Sequence, residues 1–222
     1  MSGFPISLLR AAEMSVKGLA AGERAALLIS ECQNGIINPG YAASAPLVDQ
    51  VEARRIVPNI NALAAEFRKQ ALPVIFCNIA APPGFRGFRV NCVLAARLKK
   101  ENKLITGTAF AAVHDGVCVE PHDVICERMH GMTPFTGTAL DAILRGLEIR
   151  TVVLSGVSTN IALPGAASEA VGLGYDVVLV EDCTAGGTAE THEMQVEMHF
   201  PLIATVCKAE AVVAAFGERQ RV

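Results

Sequence analysis

RTVVLSGVSTNIALPGAASEAVGLGYDVVLVEDC, residues 150–183, is the stretch whose reading decides the fold. It opens with an unbroken apolar run, RTVVLSG (150–156), and closes with another, YDVVLVED (175–182). Continuous rather than alternating runs are the mark of parallel strands buried on both faces. Between them, Asn160 to Leu173 reads as a helix, with Gly174 placed to end it and Asn160 placed to cap it.

The same alternation extends in both directions. AALLISE (25–31), PVIFCNI (73–79), DVICER (123–128) and LIATVCK (202–208) supply further strands. Pro58 suits the first turn of a helix in which Ile60, Leu63, Ala64 and Phe67 recur at helical spacing. Ala139, Leu140, Ile143, Leu144 and Leu147 repeat the pattern behind Thr138-x-x-Asp141, which resembles a capping box. Strand and helix in steady succession predict a doubly wound α/β sheet in one domain, with residues 1–24 as an N-terminal extension. AAPPGFRGFRVNCVLAAR (80–97) breaks the rhythm and reads as a long surface loop. Its Phe85, Arg86, Phe88 and Arg89 suit either a lid over the active-site mouth or a subunit contact.

Of the 222 residues, 51% are hydrophobic and 18% charged, with a net charge of −3. Such a chain has ample apolar surface to bury, which excludes a disordered, highly solvated one. No apolar stretch approaches the roughly 18–20 residues a bilayer span needs. The N-terminus lacks the basic and apolar regions of a signal peptide. With pI about 6.0 and no basic block, no surface for tracking nucleic-acid phosphates is expected. Seven cysteines without CxxC spacing read as reduced thiols of a cytoplasmic protein. The surplus of apolar residues points to a homo-oligomer.

In an open α/β sheet, ligands bind beyond the carboxyl ends of the strands. That directs attention to Glu31–Asn34, Asn78, Glu127–His130, Ser155–Asn160 and Glu181-Asp182. No G-x-G-x-x-G follows the first strand and no Walker A sequence occurs, so neither dinucleotide nor ATP binding is expected. Gly156-Val157-Ser158 is half of a nucleophile elbow, with His192 or His199 as base behind Asp176 or Asp182. Alternatively, Ser158 and Thr159 serve only the amides of a helix N-terminus. His114, His122 and His130 have no metal-ligand spacing, and no metal or cofactor is expected.

Four segments, in order, resemble the isochorismatase-like hydrolases. ALLISECQNG is similar to that family's ALLVIDMQND, and MTPFTGTALDAILR to its SAFxGTxLxxxLR. VVLSGVSTNIAL resembles LxxxGVxTxxCV, and GYDVVLVEDC resembles GYxVxVxDA. The resemblance implies a three-layer α/β/α fold with a six-stranded parallel sheet in the order 3-2-1-4-5-6, and dimers or tetramers. It also implies a non-prolyl cis peptide, here at Val157-Ser158. Amidohydrolase members use an Asp base, a Lys and a Cys nucleophile. By position these become Glu31, Arg128 and Ala162.

Alanine carries no nucleophile, so a thioester at Ala162 is chemically excluded. Cys32 and Cys126, adjacent to the other two positions, read as small buried hydrophobes, and Cys183 falls at a structural position. The resemblance therefore implies a hydrolase of a small carbonyl- or carboxylate-bearing metabolite that works by non-covalent acid/base catalysis. Glu31 is the acid/base and Arg128 its electrostatic partner, with Gln33, His130, Ser158, Thr159 and Asn160 as substrate-binding candidates. Two alternatives stay open: an inactive member retained for ligand binding or scaffolding, and a hydrolase dependent on Ser158. Glu31 also suits a purely structural role, and Arg128 an ion pair with Glu31 or Glu127.

Overall fold

Each apolar run becomes a strand: β1 (Ala25–Ser30), β2 (Val74–Ile79), β3 (Val124–Arg128), β4 (Thr151–Val157), β5 (Asp176–Ala185) and β6 (Thr205–Cys207). The computed structural model describes residues 16–20, 23–41 and 44–219. Most of the expected N-terminal extension, residues 1–15 and 21–22, lies outside the described residues. The six strands form one sheet in the order β3-β2-β1-β4-β5-β6, and every pairing is parallel. All positions of β1 and β4 are buried, as their unbroken apolar runs require. β3 departs from that pattern: Ile125 and Glu127 are exposed on either side of buried Cys126, because β3 is an edge strand with incomplete cover.

Around the sheet lie helices that include α1 (Asn34–Ile37), α2 (Ala45–Ala53) and α7 (Ala189–Met194), and alternate residues of the strands feed separate cores. On one face Leu27, Ile29 and Val153 pack beneath α3 (Ile56–Lys69) and α8 (Ala209–Arg219). On the other, Ala26, Leu28 and Leu154 pack beneath α5 (Leu140–Gly146) and α6 (Ala162–Gly172). The result is three layers, with Phe67 of α3 set edge-on to Phe216 of α8 at 5.0 Å. α6 lies close to the sheet because its buried residues are largely alanines: Ala162, Ala166, Ala167 and Ala170.

Several local expectations need correction. Thr138 and Asp141 form no capping box. The Thr138 hydroxyl accepts the Leu140 N–H at 3.1 Å, while Asp141 binds Arg145 and the Tyr175 hydroxyl. Asn160 does not cap α6, which starts two residues later; its Oδ1 accepts the Gly187 N–H at 3.0 Å. The supposed loop at 80–97 is a 3-10 turn (Pro83–Phe85) followed by α4 (Val93–Glu101). Phe85 and Phe88 are buried with Ala81 and Ala95 in a core of their own, which anchors the segment.

One close approach sets the geometry of the strand ends. Gly156 has φ +89° and pairs with Ser30, whose backbone would collide with any added Cβ. The absence of a side chain lets β4 pass against the end of β1, and the next peptide, Val157-Ser158, is cis.

Phe67→Ala removes a fully buried ring beneath the sheet. The expected loss is about 3–5 kcal/mol of unfolding free energy, read by urea denaturation.

Candidate active site

The strand order reverses between β1 and β4, and the carboxyl ends beside that switch carry the polar residues. Glu31 follows β1 directly. Its backbone lies in the left-handed region at φ 51°, uncommon for a residue with a Cβ, although its N–H still bonds Cys77 O at 3.0 Å. That turn ends the strand and aims the carboxylate across β2 toward β3. Arg128, the last residue of β3, is 2% exposed and meets it there. Arg128 Nη2 donates to Glu31 Oε1 and Nε donates to Gly131 O at 3.2 Å. Nη1 is buried and has no partner among the described residues.

Both side chains border a cavity of about 710 Å³, together with His130, Ser158 and Asn160. Glu31 and Arg128 form an ion pair in which the guanidinium side chain is 2% exposed and the carboxylate side chain 16%. A carboxylate can accept a proton, whereas the guanidinium is donor-only, with Nη1 enclosed beside the pair.

The remaining predicted residues divide. Ser158 borders the cavity, and its hydroxyl bonds neither Glu31 nor His130. His130 is an exposed wall residue, edge-on to Phe88 at 6.2 Å. Gln33 is fully buried and its amide is committed to the fold: Nε2 donates to Ile79 O (2.9 Å) and Ala111 O (2.7 Å), and Oε1 accepts Ile79 N–H (2.8 Å). Both of its N–H donors are used within the fold, and it does not border the cavity. Thr159 is likewise buried, with Oγ1 3.2 Å from His192 Nδ1. The imidazole offered as base for Ser158 thus meets its neighbour instead, away from the cavity lining. Ala162 is 1% exposed at the start of α6 and does not border the cavity.

The thiols explain what the sequence left open. Cys32, Cys77, Cys126 and Cys183 are buried. Burial, reinforced by the Glu31 charge, pushes the Cys32 thiol up to about 12, and burial also pushes Cys77 and Cys183 upward. Such thiols are poor nucleophiles at neutral pH. Cys92, which the sequence reading did not single out, is the cysteine that borders the cavity; its Sγ accepts the Ala95 N–H at the start of α4. Only recognition of α4 as a helix would have drawn attention to it. Among the described residues, no group of three or more His, Cys, Asp or Glu side chains is placed to hold a metal ion.

Comparison with known proteins gives a consistent result. The family model described as Isochorismatase domain matches residues 25–211. The isochorismatase family protein YecD of Escherichia coli O157:H7 is 29% identical over 86% of this chain and 95% of its own length. Maleamate amidohydrolase of Pseudomonas putida is 28% identical over 78% of this chain and 77% of its own. A cysteine hydrolase structure from Pseudomonas syringae pv. phaseolicola superposes with a TM-score of 0.79 at 18% identity, covering 93% of this chain and 96% of that one.

Two measurements check this description. Iodoacetamide added to the native protein should label the exposed Cys92 and Cys118 and spare Cys32, Cys77, Cys126 and Cys183, read by peptide mass spectrometry. Separately, burial and then the charge of Arg54 hold the His192 imidazole down at about 4, against an ordinary value of 6.5. Between these values the unfolded chain binds a proton that the folded one refuses, so stability should fall as pH drops from about 6.5 to about 4. Denaturation midpoints across that range should show this loss in the native protein, and a shallower one in His192→Gln.

Proposed function

The chain belongs to the isochorismatase family, and on that premise we propose that it hydrolyses a small carbonyl- or carboxylate-bearing metabolite without a covalent enzyme intermediate. One observation carries the reading: Glu31 and Arg128, joined as an ion pair through Oε1 and Nη2, border the same cavity. A substrate carbonyl oxygen placed beside the guanidinium brings its carbon near a water held by Glu31. Glu31 takes a proton from that water as its oxygen adds to the carbonyl carbon. The negative charge that develops on the carbonyl oxygen is stabilised by the guanidinium. Collapse breaks the C–N or C–O bond, Glu31 returns the proton to the leaving nitrogen or oxygen, and a carboxylic acid departs.

A nucleophile at Ser158 finds less support, because no base among the described residues reaches its hydroxyl. Ligand binding without turnover is the second reading, favoured by the enclosure of Ala162 in the core. Association into a homo-oligomer belongs to this proposal as well, supported by Met194, Met198 and Leu202, which are 51%, 70% and 81% exposed.

Glu31→Gln retains an acceptor oxygen for Arg128 Nη2 but removes the base. Across a panel of amides and esters the variant should lose about 10²–10⁴-fold in kcat, with its circular dichroism spectrum unchanged. Undiminished turnover in that variant would remove Glu31 from the mechanism.

A further inference from the structure

The cavity contains more than the ion pair. Leu94 and Leu98 of α4 are four residues apart, so they share one side of the helix, and both border the cavity. Ile161 and the buried ring of Phe88 border it as well. Leu94 is 41% exposed and Ile161 39%, so large apolar side chains stand open to a concave site. The charged residues that α4 adds to the lining, Arg97 and Glu101, are themselves exposed, and Glu101 pairs with Lys103 at 3.3 Å. Glu31–Arg128 is the ion pair at the strand-end side of the lining, with the guanidinium as its buried member. The volume, about 710 Å³, lies in the range of about 300–1,000 Å³ typical of pockets for drug-sized ligands. An acyl group of two or three carbons would leave most of that space to water and most of the apolar wall wet.

We infer that the substrate is an acyl compound whose carbonyl end sits at the Glu31–Arg128 pair and whose extended apolar body lies along the Leu94–Leu98 side of α4. The inference rests on the hydrolase reading above and adds the substrate class. The division of labour is physical. Burial of the apolar body supplies affinity in proportion to its area, while the buried donor fixes which end is presented to Glu31. A small polar amide would gain the orientation with little of the affinity.

Straight-chain carboxylates from acetate to octanoate, the products of such a hydrolysis, serve as probes in titration calorimetry with the full chain. Affinity is expected to rise about fourfold per added methylene. Leu94→Gln and Ile161→Gln change half-exposed wall positions outside the core. Each should flatten that slope and weaken octanoate binding by tenfold or more. Glu31→Gln, which removes a negative charge next to the bound carboxylate, should tighten every member by a common factor. Affinity independent of chain length would overturn the inference, as would octanoate binding untouched by both wall variants, or a series unaffected by Glu31→Gln. Because calorimetry reads binding without turnover, the two readings fail separately. A length-dependent series without Glu31-dependent hydrolysis sinks only the hydrolase reading. Glu31-dependent hydrolysis with a flat series sinks only the substrate class.

Discussion

Two opposite charges, 97 residues apart in the chain, meet across the ends of β1 and β3, and the functional reading depends on that contact. A guanidinium that is 2% exposed is costly to desolvate, and left alone it would destabilise the fold by several kcal/mol. The Glu31 carboxylate offsets that cost, and the Gly131 carbonyl occupies a further donor. One nitrogen of the guanidinium, Nη1, stays enclosed without a partner among the described residues. The geometry also explains the left-handed turn at Glu31: an extended continuation of β1 would not bend toward a strand two places away in the sheet.

The same packing closes the alternative sites. At the position where the family resemblance implies a nucleophilic cysteine, α6 buries Ala162 among other small residues. The cysteines the chain does possess mostly fill strand and core positions where a thiolate would be desolvated. The Thr159 hydroxyl lies against His192 Nδ1, and neither residue borders the cavity. The strand ends at the switch point supply the Glu31–Arg128 pair, and α4 faces it with Leu94 and Leu98 beside Arg97 and Glu101.

The strands were legible because burial on both faces demands unbroken apolar runs, which few other structures produce. α3 and α5 were legible from their repeated apolar positions. α4 was not: VLAARLKKE buries only Ala95, and the Pro- and Gly-rich turn before it masks the helix start. The roles of Asn160 and Gln33 were misread for a common reason. Each is a residue type that binds whatever backbone group is nearest, and the nearest group came from a distant segment: Gly187 for Asn160, Ala111 for Gln33. Local spacing carries no information about such partners.

The sequence by itself determined the three-layer α/β class, the strand order through its family resemblance, and the absence of a nucleophile at position 162. These follow from residue identity and periodicity, which are properties of the chain alone. Only the tertiary structure decided that Glu31 and Arg128 are paired, that one guanidinium nitrogen is left over, and that α4 walls the cavity with leucines. Those facts are distances between segments far apart in sequence, set when both faces of one sheet are buried at once.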